Sequence, residues 1–152
     1  MNIEIRRALP QEAETLTALA IAAKFSWGYP EDWLEIWRPE LTFGADYIEK
    51  NEILTATVND QPVGFYRLLE KDGNAWLEDL WIKPAYMGRG IGRLLFTHAL
   101  KLSRQRGYKL LRWESDPNAV GFYIKMGAHQ TGERHSEVEG QPRILPIMEI
   151  EL

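Results

Sequence analysis

The sequence contains no cysteine. A disulfide framework, a thiolate metal site and a cysteine nucleophile are therefore excluded, and a reducing compartment is the natural setting. Positive charge is not in excess: 18 Lys and Arg stand against 22 Asp and Glu, a net charge of −4. A nucleic-acid binder needs a basic surface to pair with phosphates, so no nucleic-acid partner is expected. Long apolar runs are missing too. The longest, Leu16 to Ala23, is interrupted by Thr17 and is too short to span a bilayer. The N-terminal MNIEIRR holds no apolar signal core, so the expected location is the cytoplasm, with no membrane partner. His129 and His135 show no ligand spacing, and no metal site is expected.

What is present suits one globular domain over residues 1–152, with 45% hydrophobic and 26% charged residues. The six tryptophans stand out, because indole is a costly choice unless packing or binding uses it. Ile3 and Ile5 alternate with charged neighbours as in a short strand. Pro10, Glu12 and Glu14 open a helix in which Leu16, Leu19, Ala20 and Ala23 share a face. A second helix starts at Pro30-Glu31-Asp32 and ends before Pro39, and a third covers 45–50. Three strands follow, 53–58, 63–69 and 76–82, joined by the turns Asn59-Asp60-Gln61-Pro62 and Lys71-Asp72-Gly73-Asn74. A long helix carries Ile91, Leu94, Leu95, Ala99 and Leu102 on one face and stops at Gly107. His98 falls in that stripe and reads as a hydrogen-bonded, partly buried side chain. A strand at 110–113, a helix at 118–126 capped by Gly127, and strands at 128–133 and 144–150 complete an α/β (α+β) fold with a mixed sheet.

Chemistry concentrates first in LWIKPAYMGRGIGRLLF. A strand ends at Pro84, and Gly88-Arg89-Gly90-Ile91-Gly92 leads into the long helix. Glycines let successive backbone N–H groups converge, and the helix N-terminus adds positive potential, which together seat a pyrophosphate. Lys83, Arg89 and Arg93 add positive charge. The segment is not a Walker A loop, since Gly-Lys-Ser/Thr is absent, and not a Rossmann fingerprint, since Arg93 stands at the third glycine. The second concentration is ESDPNAVGFYIKMGA, and the third is the aromatic stretch KFSWGYPEDWLEIW.

Met87-Gly88-Arg89-Gly90-Ile91-Gly92 resembles the acetyl-coenzyme A signature of the GNAT superfamily of N-acetyltransferases, Gln/Arg-x-x-Gly-x-Gly/Ala. Both glycines match, at Gly90 and Gly92, while Met87 stands where the family has Gln or Arg. The family holds the pyrophosphate mainly through backbone N–H groups, so this departure is expected to be tolerated. Phe122, Tyr123, Lys125, Gly127 and Ala128 resemble the tail of the family's second cofactor motif. Asp116 occupies the spacing at which the family carries an Asn, and Asn118 lies just beyond; either side chain could contact the cofactor. Asp116 also suits the cap of the helix that Pro117 begins.

The resemblance implies a GNAT fold, a mostly antiparallel sheet of about seven strands splayed between the fourth and fifth. It implies acetyl-CoA as co-substrate, with Leu80, Trp81 and Ile82 along the pantetheine arm and Gly88 to Arg93 around the pyrophosphate. It implies direct attack by a small-molecule or peptide amine in a ternary complex, and it is compatible with a homodimer. Tyr123 is the expected donor to the leaving thiolate. Two carboxylates are candidates for the base: Glu78, on the strand face shared with Leu80 and Ile82 by two-residue alternation, and Glu114, at the end of the following strand. Trp27 and Tyr29 are expected on the acceptor wall, whereas Trp33 and Trp37 share a helix face and read as packing residues. Arg143 reads equally as a clamp for a substrate carboxylate or as the partner of an acidic neighbour. The alternative to an enzyme is a domain of the same fold that binds an acyl-CoA without chemistry.

Overall fold

Local pattern and element agree along most of the chain. The computed structural model describes residues 1–152. Strand β1 (Ile3–Arg7) is followed by a 3-10 turn at Pro10–Glu12 that leads into α1 (Ala13–Phe25). The Glu12 carboxylate fixes this entry by accepting from the Leu9 N–H at 2.9 Å and from both terminal nitrogens of Arg6 at 2.9 and 2.7 Å. Burial alone would raise the Glu12 carboxyl, but the hydrogen bonds from Arg6 and Leu9 outweigh it and hold the group below the usual range. Helices α2 (Glu31–Trp37) and α3 (Ala45–Lys50) come next, then strands β2 (Glu52–Val58), β3 (Gln61–Lys71) and β4 (Asn74–Ile82). Helix α4 (Ile91–Gln105), strand β5 (Leu110–Glu114), helix α5 (Val120–Lys125) and strands β6 (His129–Val138) and β7 (Gln141–Glu151) follow.

The strands form a seven-stranded sheet in the order β1-β2-β3-β4-β5-β7-β6. β4 and β5 pair parallel, and β1–β2, β2–β3, β5–β7 and β7–β6 pair antiparallel. The β4–β5 register comprises only Ala75 opposite Leu111 and Trp76 opposite Arg112, although β4 runs on to Ile82. The splay expected between these strands is thus matched by a ladder that stops early.

By its contacts the chain divides into two compact units, Met1–Leu68 with Asp79–His98, and Leu69–Glu78 with Ala99–Leu152. The core of the first gathers Leu16, Leu19, Ala20, Ile48, Ile53 and Phe65, with Trp37, Tyr47 and Trp81 packed against it. In the second, Leu111, Trp113, Tyr123 and Met148 are buried, and the Trp113 and Tyr123 rings lie 4.8 Å apart.

Several sequence expectations need correction. Pro62 lies in β3 and not in the turn; it pairs with Thr57 where the register shifts, a bulge that tolerates a residue with no N–H to donate. The turn is the two residues Asn59 and Asp60, both at positive φ. β6 and β7 are longer than 128–133 and 144–150. They pair out to Val138 opposite Gln141 around a turn at Glu139-Gly140, despite Pro142 and Pro146 in β7. Leu94 lies 38% exposed, so the buried face of α4 is Ile91, Leu95, Phe96, Ala99, Leu100 and Ser103. The helix expected at 118–126 begins as a 3-10 turn at Pro117–Ala119. His98 matches its reading: it is half-buried, with Nδ1 2.7 Å from the Tyr66 hydroxyl.

Gly64 on β3 went unmarked in the sequence and decides how closely this unit packs. A Cβ there would lie 3.0 Å from Ile82 Cδ1, 3.1 Å from Leu95 Cδ1 and 3.1 Å from the Trp81 carbonyl oxygen. Side chains of β4 and α4 can yield a little, but the backbone oxygen cannot. Gly64→Ala should therefore destabilise the protein by about 1–3 kcal/mol, the usual cost of overpacking; chemical denaturation with an unchanged m-value checks this.

Candidate functional site

In the first unit, β4 is converted into α4 through a short, tightly bonded connection. Lys83 N–H donates to the Val63 carbonyl at 2.8 Å, and a 3-10 turn at Pro84–Tyr86 brings the Tyr86 N–H to the Lys83 carbonyl at 2.8 Å. Gly88 and Gly90 then take φ of 74° and 84°, in the left-handed region that side chains disfavour. The Gly90 carbonyl accepts the Leu94 N–H at 3.0 Å and so starts the helix. The N–H groups of the first turn have no acceptor within the helix, and they meet the positive end of its dipole. Nothing lies within 4 Å of where a Cβ would stand on Gly88 or Gly90. The connection is thus exposed backbone with open space beside both glycines, which suits an anion such as a pyrophosphate. Arg89 is exposed with its guanidinium 5.3 Å from the Tyr86 ring centre, and Arg93 is exposed. Met87 is 38% exposed with Sδ 3.9 Å from Ser26 Oγ. The residue that departs from the family signature therefore meets the aromatic segment instead.

Leu80, Trp81 and Ile82 are half-buried at the end of β4. The two-residue alternation that would place Glu78, Leu80 and Ile82 on one face does not hold. Asp79 sits at φ 57°, a left-handed residue inside the strand, so regular two-residue alternation is interrupted between Glu78 and Leu80. Aspartate is among the few residues that tolerate this conformation, and the sequence carried no other mark of it.

The aromatic segment also belongs to the first unit. Gly28, at φ 79°, turns the chain out of α1, and the Pro30 carbonyl accepts the Trp33 and Leu34 N–H groups to begin α2. Trp27 is 38% exposed, Tyr29 is half-buried, and Glu31 and Asp32 are exposed. Tyr29 meets Trp37 edge-on at 5.0 Å and stacks on Trp33 at 6.1 Å, while Trp33 and Trp37 lie 5.8 Å apart. Trp37 packs on the core, as its helical spacing implied.

In the second unit, Tyr123 is buried on α5, with its ring 4.8 Å from Trp113 and 5.1 Å from Phe122. Burial pushes its phenol far above the ordinary tyrosine range, and the charge of Asp116 adds to the shift. Burial thus favours the protonated phenol over the phenolate. Asp116 is tied in place: Oδ1 accepts the Asn118 N–H and Nδ2, each at 2.9 Å, and Oδ2 lies 3.4 Å from Arg143 Nη2. The Asp116 and Arg143 side chains are only 12% and 10% exposed. Of the two readings of Arg143, the structure gives the acidic neighbour. Asn118 is exposed on the 3-10 turn. Of the two candidate bases, Glu114 accepts from Arg134 Nε at 2.8 Å, and Glu78 is exposed on β4. His129 and His135 lie beside Glu149 and Glu133, and no three metal-ligating side chains converge.

With this geometry in hand, comparison with known proteins is specific. The sequence profile of the Acetyltransferase (GNAT) family matches residues 17–128. A protein from Salmonella typhimurium described as peptidyl-lysine N-acetyltransferase YjaB is 35% identical over 99% of this chain and 98% of its own length. A spermidine N(1)-acetyltransferase of Thermoplasma acidophilum is 30% identical over 84% of this chain and 88% of its own. The crystal structure of a PaiA N-acetyltransferase from the same archaeon, in complex with coenzyme A, superposes with a TM-score of 0.77 at 25% identity over the whole of both chains. This chain belongs to the GNAT family and is an acetyl-CoA-dependent acyltransferase.

Proposed function

We propose that the enzyme acetylates a primary alkylamine, with a lysine side chain of a peptide or protein as its main acceptor, by direct attack in a ternary complex. The carrying observation is the aromatic segment of the first unit, where the exposed indole of Trp27 precedes the exposed carboxylates of Glu31 and Asp32. Aromatic faces and carboxylates favour a cationic acceptor over an anionic one. The acceptors named for the Salmonella and Thermoplasma relatives, peptide lysine and spermidine, support the same chemistry, an unhindered alkylammonium.

In this reading the co-substrate supplies an acetyl group as an activated thioester. The backbone N–H groups of Gly88 to Arg93 bind its pyrophosphate, and Leu80, Trp81 and Ile82 flank its pantetheine arm. Backbone N–H groups of β4 polarise the thioester carbonyl. Asn118 donates its amide to the cofactor arm, and Asp116, already held by Arg143, caps the turn that presents it. Glu78, exposed on β4, accepts through a water the proton that the ammonium must lose. As nitrogen bonds to the carbonyl carbon and the carbon–sulfur bond breaks, the Tyr123 hydroxyl donates to the departing sulfur. Raised by burial above the ordinary phenol value of about 10, Tyr123 is a weaker acid than a thiol at about 8.5, so the proton shifts late, as charge reaches the sulfur.

Three outcomes are expected. Gly90→Val should abolish coenzyme A binding in calorimetry while leaving the circular dichroism spectrum unchanged: no neighbour clashes with the new side chain, but a β-branched residue cannot hold φ 84°. Unaltered affinity in the folded variant sinks the pyrophosphate assignment. Tyr123→Phe should lower kcat about 100-fold with little change in the KM for acetyl-CoA, since packing stays and only the hydroxyl is lost; full turnover with chemistry rate-limiting would leave Tyr123 as a core residue. Free-thiol release from acetyl-CoA should be supported by lysine peptides and alkylamines, and Trp27→Ala should raise the acceptor KM and not that for acetyl-CoA. Turnover confined to neutral or anionic amines refutes the acceptor class.

A further inference from the structure

The last turn of α1 carries a lysine where a surface residue would be routine, yet Lys24 is only 8% exposed. Its Nζ lies 4.3 Å from the ring centre of Trp37, 5.0 Å from that of Tyr29 and 5.6 Å from that of Trp81. Three π faces thus surround one ammonium, the arrangement by which aromatic boxes bind alkylated ammonium ions. The box is stiff. Trp37 and Trp81 pack against the core of this unit, and Tyr29 is braced edge-on against Trp37. The Trp81 indole Nε1 is also buried with no acceptor in the structure.

We propose that this box is a binding site for an alkylammonium group of the acceptor, and that Lys24 occupies it in the resting enzyme. The proposal rests on the alkylamine reading above and narrows it. A π box stabilises the charged form of an amine, whereas the amine that attacks a thioester must be neutral. The group seated in the box is consequently a second cation of the acceptor, not the nitrogen that is acetylated. Dicationic acceptors fit this requirement: a diamine, or a peptide with a second basic side chain near the target lysine. The Lys24 ammonium returns to water as the acceptor's cation takes its place, so each bound acceptor competes with a tethered copy of its own chemistry.

Tetramethylammonium is the probe for the box, because it cannot be acetylated and its binding is read from tryptophan fluorescence without any turnover. Lys24→Ala should bind it at least about tenfold more tightly than the wild type, the gain expected when one cation–π occupant is removed. Adding Tyr29→Leu in the loop wall should erase that gain. Lys24→Met, which keeps the apolar stem, serves the same purpose if the alanine variant does not fold. For the wild type, the Lys24 side-chain methylene resonances, shifted upfield by the rings, should move downfield as tetramethylammonium is titrated. No gain in affinity in a folded Lys24 variant, or a gain that survives Tyr29→Leu, overturns the box. Its link to the acceptor is read separately: the ratio of KM for 1,4-diaminobutane to KM for butylamine should fall about tenfold in Lys24→Ala. Binding in the box with an unchanged ratio leaves a cation site and overturns its role in acceptor choice.

Discussion

An extended strand must become a helix within a few residues after Ile82, and two backbone angles make that reversal available. Gly88 and Gly90 hold φ of 74° and 84°, values that cost an ordinary side chain about 1–2 kcal/mol each. Without them the chain could not enter the head of α4 in this conformation. The segment is also open where glycine hydrogens stand, so conformation, not crowding, dictates the residue type here. Gly64 is the opposite case. Its φ is unremarkable, and what matters is the 3.0–3.1 Å that a side chain would have to share with Ile82, Leu95 and Trp81.

The second unit supplies a different kind of order. A phenol buried against Trp113 keeps its proton because its surroundings solvate a phenolate poorly and because a carboxylate stands near. That carboxylate, Asp116, is itself held by a turn N–H, an amide and a guanidinium. Breaking the Asp116–Arg143 contact would expose a nearly buried charge on each side, so the pair fixes the start of α5 more firmly than a surface ion pair could.

Much of this was legible in the sequence, and the exceptions have physical causes. Helices α1 to α4 announce themselves through spacing, and Pro10, Pro30, Gly107 and Gly127 mark ends where their backbone preferences predict them. The glycine-rich connection was readable because the left-handed backbone at Gly88 and Gly90 calls for glycine where the chain turns into α4. The outer halves of β6 and β7 were not, since Pro142, Pro146 and a run of charged residues read as loop; paired backbone overrides that preference in this two-stranded arm. Asp79 hid for a related reason: a left-handed aspartate inside a strand has no compositional mark. Lys24 carried no mark in the sequence: lysine is ordinarily solvated, and its burial beside Tyr29, Trp37 and Trp81 is a tertiary arrangement. Trp33 and Trp37 were read as packing residues, and Trp37 also serves as a wall.

The close contact at Gly64 has a thermodynamic consequence. With no side chain between them, β3, the end of β4 and the first turns of α4 form one incompressible floor, and the glycine-rich connection is suspended from both of its edges. The entropy of ordering that connection is lost when the chain folds, and little is left to lose when an anion arrives. Affinity and stability are then two readings of the same packing. A change that loosens the floor, far from any phosphate oxygen, would shift the connection toward a disordered ensemble and dilute the binding-competent fraction in proportion.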